Sequence, residues 1–154
     1  MARRRSARRD GEGAARIATG DHPVVLFDGV CNLCDAAVRF LIDRDPDARL
    51  RFAPLQSQAA AALLAGLGRA SPATPEAIYL VERGRLWEGS DAALRIAHRL
   101  RGPWRLAGAF LALPRPLREP IYRAIARNRF RWFGRRDACR VPTADLRARF
   151  LTTA

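Results

Sequence analysis

The first clear pattern in the chain is a short apolar run followed by a helical spacing of apolar positions. The run at residues 24–27 is rich in β-branched residues, which predicts a strand buried on both faces of a sheet. Beyond Asp28 and Gly29, apolar residues recur mostly three or four positions apart, as on one face of a helix. They are Cys31, Cys34, Val38, Leu41 and Ile42. The helix should end before Pro46, because proline disfavours helical backbone at the residue that precedes it.

Further strands and helices alternate up to residue 101. Strands are predicted at residues 49–52, 77–81 and 86–88, and helices at residues 57–67 and 90–101. Ser90 is a favourable N-cap for the last of these helices, which should stop at Gly102 and Pro103. The order β-α-β-α-β-β-α predicts an α/β fold with a mixed sheet. The first two strands can form a parallel crossover, and the last two form an antiparallel hairpin.

The remainder of the chain is predicted to be helical. One helix should cover residues 104–113, a second should open at Pro120 and run to residue 133, and Thr143 should cap a short third helix. We expect one domain with three parts. These are a disordered basic arm at residues 1–20, a core at residues 21–102, and a helical basic extension at residues 103–154 that packs on the core.

The net charge of +13 on 154 residues suggests nucleic-acid binding until the charge is located along the chain. The first 20 residues hold 6 Arg and 2 acidic residues, and residues 21–97 hold 8 Arg and 10 acidic residues. The last 57 residues hold 14 Arg and only 3 acidic residues. The predicted core is therefore not basic. Because no readout motif accompanies the charge, we expect no specific nucleic-acid partner.

The compartment is inferred from segments that the sequence does not contain. No apolar stretch follows the basic start, as a secretory signal would require, and no apolar run approaches the length of a membrane span. A reducing cytoplasm is the expected location, with peripheral contact to a membrane as a further option. In such a compartment cysteines stay reduced unless they perform chemistry or bind metal.

Cys31 and Cys34 stand where chemistry is expected, at the junction between the first strand and its helix. A three-residue offset in the first turn of a helix brings two cysteines close enough for a disulfide. Unpaired N–H groups and the helix dipole favour the thiolate form at Cys31. We expect Cys31 to be exposed and nucleophilic. Cys34, one turn further along, should be more buried and should resolve the mixed disulfide.

A Cys-x-x-Cys pair alone has other interpretations. Both cysteines can be buried small hydrophobic residues, or they can be half of a zinc site. Zinc would need two further ligands, which only Cys139, His22, His98 or carboxylates could supply, and no second close ligand pair exists. Dithiol chemistry needs no organic cofactor, because the cysteine pair itself carries the two electrons. We therefore expect no cofactor and no metal.

The segment at residues 28–34, Asp-Gly-Val-Cys-Asn-Leu-Cys, resembles the DCC family of thiol-disulfide oxidoreductases, named for its Asp, Cys and Cys. The resemblance extends to Ser90 and Asp91 in the stretch at residues 90–94, and to residues 122–129 and 133–134. It implies a thioredoxin-like fold and disulfide exchange at Cys31 and Cys34. The substrates of the family are poorly defined, so the resemblance is more informative about the reaction than about the biological partner.

The other predicted site residues surround the cysteines. Asp28 either relays the proton of Cys34 as a general base or stabilises the turn at Gly29 and caps the helix. Gly29 is expected to supply a backbone conformation that a larger residue would resist. The residues predicted to contact substrate are Gly29, Val30, Asn32, Leu33 and Pro75. Pro75 precedes the third strand, where thioredoxin-like proteins carry a cis-proline against the dithiol; an ordinary turn proline is the alternative.

The basic helix from Pro120 admits three interpretations. It can pack its apolar side on the core while arginine stems cover the rim, it can contact an anionic membrane surface, or it can face RNA. Taken together, the sequence predicts a thiol-disulfide oxidoreductase that acts on protein or small thiol substrates, in the reductase direction, with an unknown electron donor. The alternative is a non-enzymatic adaptor that binds zinc or a membrane surface.

Overall fold

The computed structural model describes residues 22–71, 78–135, 144 and 146–151. Four strands of this part of the chain form one sheet in the order β2-β1-β3-β4. The strands are β1 Val24–Phe27, β2 Arg51–Pro54, β3 Ile78–Glu82 and β4 Arg85–Glu88. The helices are α1 Asn32–Asp43, α2 Gln58–Gly66, α3 Gly89–His98 and α4 Arg115–Phe133, with 3₁₀ segments at Gly102–Ala112 and Arg147–Arg149.

The apolar run of β1 forms the centre of the sheet, with all four of its residues buried. It pairs in parallel with β2 and antiparallel with β3. The β3 and β4 strands form the predicted hairpin, in which Arg83 and Gly84 both adopt positive φ, as a tight two-residue turn requires. The predicted parallel crossover, hairpin and mixed α/β class are confirmed, and the arrangement is compatible with a thioredoxin-like fold.

The two faces of β1 belong to two apolar clusters. Val25 and Phe27 pack with the buried side of α1 and with α3, whereas Val24 and Leu26 pack with α2. Alternation along the strand places successive side chains on opposite faces, so a continuous apolar run is needed when helices cover both. The site therefore stands on a rigid, doubly covered strand.

The start of α3 differs from the sequence prediction. Glu88 is its N-cap residue, and Ser90 lies inside the first turn instead of capping it. The Ser90 hydroxyl donates to Glu119 of α4 at 2.6 Å, and its backbone N–H donates to the same carboxylate at 3.3 Å. Neighbouring Asp91 forms an ion pair with Arg118. Both residues hold α4 in place, a role that their local sequence does not indicate.

The helix of the extension also starts earlier than predicted. It begins at Arg115, so Pro120 lies inside α4 and Pro116 occupies the first turn, where a missing N–H costs nothing. Ion pairs and hydrogen bonds of Arg118 and Glu119 to α3 stabilise the turn before Pro120. The preceding segment, predicted as an α-helix, is a 3₁₀ helix. Thr143, the predicted cap of a last helix, lies outside the described residues.

The orientation of α4 agrees only in part with the interpretation that its apolar side packs on the core. Glu119, Ala126 and Arg129 are buried, and half-buried Phe130 packs against the core cluster. Leu117 and Ile121, in contrast, are 63% and 66% exposed. Buried partners for the polar residues, described below, account for this orientation. No helix in the described ranges combines the length and the apolar character that crossing a bilayer requires.

Candidate active site

The candidate site lies at the edge of the sheet where β1 and β2 end. Because the two strands are parallel, the residues that follow them meet at the same edge, which brings Gln56 next to Asp28. The Gln56 side-chain amide donates to Asp28 Oδ1 at 2.7 Å and accepts the Gly29 N–H at 3.0 Å. The loop between β1 and α1 is therefore anchored before it reaches the cysteines.

Cys31 is the N-cap residue of α1, which agrees with its predicted place at the helix start, whereas the capping role considered for Asp28 belongs to Cys31. Its backbone is extended, and its Sγ accepts the N–H of Cys34 at a distance of 3.5 Å. The sulfur thus faces the N-terminal end of the helix, where N–H groups and the helix dipole stabilise negative charge. Cys34 follows one turn later on the buried side of α1, and both cysteines are free thiols.

The exposure predicted for Cys31 is wrong. Its exposed fraction is 0%, against 3% for Cys34. The chain after α4 folds over the loop: Arg135 forms a β-bridge with Cys31, and the Phe133 carbonyl accepts a 2.8 Å hydrogen bond from the Asn32 side chain. The prediction of exposure rested on the place of Cys31 at a helix start. That local feature does not indicate which distant segment packs over the helix start. We call residues 133–135 the covering segment.

Asp28 is fully occupied by hydrogen-bond donors. Its Oδ1 accepts the Val30 N–H at 3.2 Å in addition to the Gln56 amide, and its Oδ2 pairs with Arg129 of α4 at 3.3 Å. The side chains of Asp28 and Arg129 are 1% and 7% exposed, so the ion pair is buried. These contacts agree with the turn-stabilising role considered for Asp28. Its role as a general base stays a prediction.

The two thiols are not equivalent. Burial raises the pKa of the Cys34 thiol well above its usual range, and the neighbouring Cys31 and a hydrogen bond to it add to this rise. Arg129 and a backbone hydrogen bond from Asp28 act in the opposite direction but are outweighed. Cys34 therefore holds its proton firmly. This supports the predicted order in which Cys34 is the slower thiol.

Tyr122 of α4 contributes a phenol hydroxyl to the region around Cys34. Burial raises the pKa of its phenol, and Cys34, Tyr79 and Arg129 are close enough to affect it electrostatically. Polar side chains of α4 thus lie close enough to Cys34 to affect it electrostatically. Sequence analysis did not assign a role at the site to Tyr122, Arg129 or Gln56. Gln56 could have been found from the parallel crossover. The family resemblance over residues 122–129 includes Tyr122 and Arg129, but it does not indicate that they lie near the cysteines.

The remaining predicted site residues have different surroundings. Val30 in the loop and Asn32 at the start of α1 are half-buried, and half-buried Leu33 packs against the core cluster. Gly29 is buried and does not adopt a left-handed φ, so the special backbone conformation expected of it is absent. Positive φ occurs instead at Gly134 of the covering segment, with φ of 83°. Pro75 and Cys139 lie outside the described residues, and the cis-proline hypothesis stays a prediction.

The zinc interpretation gains no further ligands from the described residues. Among them, no group of three or more histidine, cysteine or acidic side chains is placed to hold a metal ion. His22 precedes β1 whereas the cysteines follow it, and exposed His98 interacts with the Arg105 carbonyl. Cys139 is not part of the described chain, so its relation to the pair is open to experiment.

A cysteine pair at the N-terminus of a helix that follows a central strand defines a dithiol site on an α/β fold. The sequence profile of the DCC1-like thiol-disulfide oxidoreductase family matches residues 25–135. The chain belongs to this family. The resemblance inferred from the motif is therefore confirmed, and the matched range includes the sheet, the cysteine pair and α4.

Two curated proteins show how far the similarity extends. The uncharacterized protein YuxK of Bacillus subtilis is 43% identical over 128 residues, which cover 83% of this chain and 93% of YuxK. A chloroplastic DCC family protein of Arabidopsis thaliana is 38% identical over 144 residues, which cover 90% of this chain and 83% of that protein. No solved structure matches the chain.

Proposed function

We propose that the protein exchanges disulfides through Cys31 and Cys34, with Cys31 as the attacking thiol. The observation that carries this proposal is the N-cap position of Cys31, whose sulfur accepts the N–H of Cys34 at 3.5 Å. A sulfur in this position is stabilised as a thiolate, and its partner lies one turn away. Membership of a family named for thiol-disulfide oxidoreductases supports the same reaction.

The reaction takes place in two exchanges. The Cys31 thiolate attacks one sulfur of a substrate disulfide, a bond forms between them, and the other sulfur leaves as a thiolate that takes up a proton. Cys34 then loses its proton and attacks Cys31, which releases the second substrate thiol. Two electrons pass from the cysteine pair to the substrate, Cys34 supplies one of the two protons and solvent the other, and the pair ends as a disulfide. An external thiol donor must reduce this disulfide before the next cycle.

The raised pKa of Cys34 supports this order of attack. A thiol that keeps its proton at neutral pH is a poor first nucleophile, since the thiolate is the reactive form. Proximity to Cys31 after the first exchange compensates for the low thiolate fraction, because the second attack is intramolecular. We expect the reductase direction in a reducing compartment. The reduction potential of the pair would test this direction.

Access to Cys31 requires movement of the covering segment. Cys31 has no exposed surface, while an incoming disulfide must approach its sulfur directly. Among the described residues, the contacts that close the loop include the bridge of Arg135 with Cys31, the hydrogen bond of Asn32 to Phe133, and a 3.5 Å hydrogen bond from the Asn32 N–H to the Gly134 carbonyl. Contacts of this kind open locally at a cost well below global unfolding.

Trapping with glutathione disulfide tests the proposal. The Cys34→Ser variant should accumulate a mixed disulfide at Cys31, detected by intact-mass spectrometry and peptide mapping, because the resolving thiol is missing. The wild-type protein should instead form the disulfide between Cys31 and Cys34. A Cys139→Ser background removes the third thiol from the analysis. Glutathione attached at Cys34 in a Cys31→Ser variant at an equal rate would overturn the assignment of the nucleophile.

Metal analysis of protein purified without oxygen distinguishes the proposal from the adaptor alternative. Stoichiometric zinc that is lost in both Cys31→Ser and Cys34→Ser would favour a metal-binding module. Metal-free protein that forms the predicted mixed disulfide would support the oxidoreductase.

A further inference from the structure

We propose that the outward side of α4 binds the surface of a lipid bilayer that contains anionic lipids. The proposal concerns a different part of the molecule from the dithiol and goes beyond disulfide exchange. Every large hydrophobic side chain that is exposed in the described chain lies between residues 104 and 133. They are Trp104, Leu106, Phe110, Leu113, Leu117, Ile121, Ile125, Trp132 and Phe133. Exposed apolar residues that recur on one side of a helix mark an interaction surface, and α4 carries such a set.

Within α4 these residues form a stripe. Leu117, Ile121 and Ile125 are four residues apart, and Trp132 follows seven positions later, which places all four on one side of the helix. Their exposed fractions range from 44% to 66%. The opposite side is held to the core by Glu119 and Arg129, so the stripe cannot turn inward without breaking buried ion pairs and hydrogen bonds. We call these four residues the apolar stripe.

Positive charge lies directly beside the apolar stripe. Arg123, Arg127 and Arg131 are also four residues apart, and all three are exposed. A groove of about 530 Å³ runs along this side and is lined by Arg115, Arg123 and Arg127 with two prolines, an alanine and Glu119. Glu119 is the one acidic residue of α4 and is buried. The outward surface is therefore apolar and cationic, the combination that binds the interface of anionic bilayers.

The composition of the remaining residues offers little apolar surface to match these side chains. The residues outside the described ranges contain only three large hydrophobic residues, Met1, Ile17 and Val141, against nine exposed ones. Residues 1–21 also carry six arginines, which α4 would repel. A second copy presents the same arginines, so a symmetric dimer through this face would place like charges opposite each other. An anionic bilayer satisfies both the apolar and the cationic groups.

Vesicle flotation with the full chain tests the proposal. The protein should float with vesicles that contain phosphatidylglycerol and much less with vesicles of phosphatidylcholine alone, and added salt should weaken the binding. The double variant Arg127→Gln and Arg131→Gln should lower the partition coefficient by about thirtyfold, from about fivefold per arginine. The matched control, Arg39→Gln with Arg83→Gln, removes the same charge from exposed positions outside α4 and should change the partition coefficient little.

The apolar contribution is measured separately with Leu117→Ser and Ile121→Ser. These exposed substitutions should leave the unfolding midpoint nearly unchanged but reduce binding, and the reaction with glutathione disulfide should persist without lipid. Equal binding to neutral and anionic vesicles, no binding to either, or equal loss in the control variant would overturn the proposal. Concentration-dependent dimers, or binding to RNA in place of vesicles, would also overturn it.

Discussion

Helices α1 and α4 are both amphipathic, yet they turn opposite sides to the core. Helix α1 buries Cys34, Val38 and Leu41, and its charged residues face solvent or lie at its ends. Helix α4 buries Glu119 and Arg129 and exposes Leu117 and Ile121. The difference arises because the core offers α4 buried polar partners, namely Asp28 at the dithiol loop and Ser90 at the start of α3. The orientation of a helix is set by its most stabilising contacts. Burying a carboxylate without a partner costs more free energy than exposing leucine side chains.

Substitutions in the ion pair of Asp28 and Arg129 should have the largest effect on stability among the tests of this difference. Replacing either residue alone, by Asp28→Asn or Arg129→Met, should lower the free energy of unfolding by about 3–5 kcal/mol, because the remaining group stays buried without its partner. The double variant should recover much of this loss. Urea unfolding measures all three. A loss below about 1 kcal/mol in both single variants would mean that the pair does not hold α4.

A matched pair of alanine substitutions compares the two helices directly. Leu41→Ala on α1 removes a side chain that is 6% exposed and should cost about 2–5 kcal/mol. Ile121→Ala on α4 removes one that is 66% exposed and should change stability by less than about 0.5 kcal/mol. Both losses are measured from urea-unfolding midpoints, provided that the slope of the free energy of unfolding against urea concentration is the same in the two variants. Similar losses at the two positions would contradict the outward orientation of the apolar stripe.

Unfolding at alkaline pH tests whether the buried thiol of Cys34 keeps its proton in the folded protein. Because the pKa of Cys34 is raised in the folded protein, the thiol is protonated in both states below its usual pKa near 9. Above that value the unfolded chain ionises first, so stability should fall by about 1.4 kcal/mol per pH unit. Tyr122 should add a fall of the same sign above about pH 10, its usual pKa.

The pH prediction is isolated by comparing the wild-type protein with Cys34→Ala under reducing conditions. Other cysteines titrate in both proteins, so the difference between the two stability curves reports Cys34. A difference that does not depend on pH between 8 and 10 would show that the thiol is not held protonated in the folded state.

The smallest effect is expected at the covering segment. Asn32→Ala removes the 2.8 Å hydrogen bond to Phe133, worth about 1 kcal/mol, and should increase the rate of Cys31 alkylation about fivefold. Iodoacetamide labelling with peptide mapping measures this rate. Asn128→Ala removes a hydrogen bond within α4, to the Ala124 carbonyl, and is the control. Equal acceleration in both variants would point to general loosening of α4.

The contrast between the two helices also explains how far sequence reasoning reached. Periodicity placed Cys31 and Cys34 at the start of α1, because a helix beside a sheet must bury an apolar face and its spacing is local. Gln56 was within reach through the geometry of parallel strands. The burial of Cys31 was not, since residues that lie against this loop, such as Arg135 and Phe133, are about one hundred positions distant in the chain.

The amino-acid sequence by itself determined the order of strands and helices, the burial of β1 on both faces, and the dithiol at the start of a helix. These features follow from the spacing of apolar residues and from turn residues, which act over a few positions. Only the tertiary structure decided which side of α4 faces the core, which arginine pairs with Asp28, and what covers Cys31. Each of these depends on contacts between residues far apart in the chain, and the periodicity of a single helix does not predict such contacts.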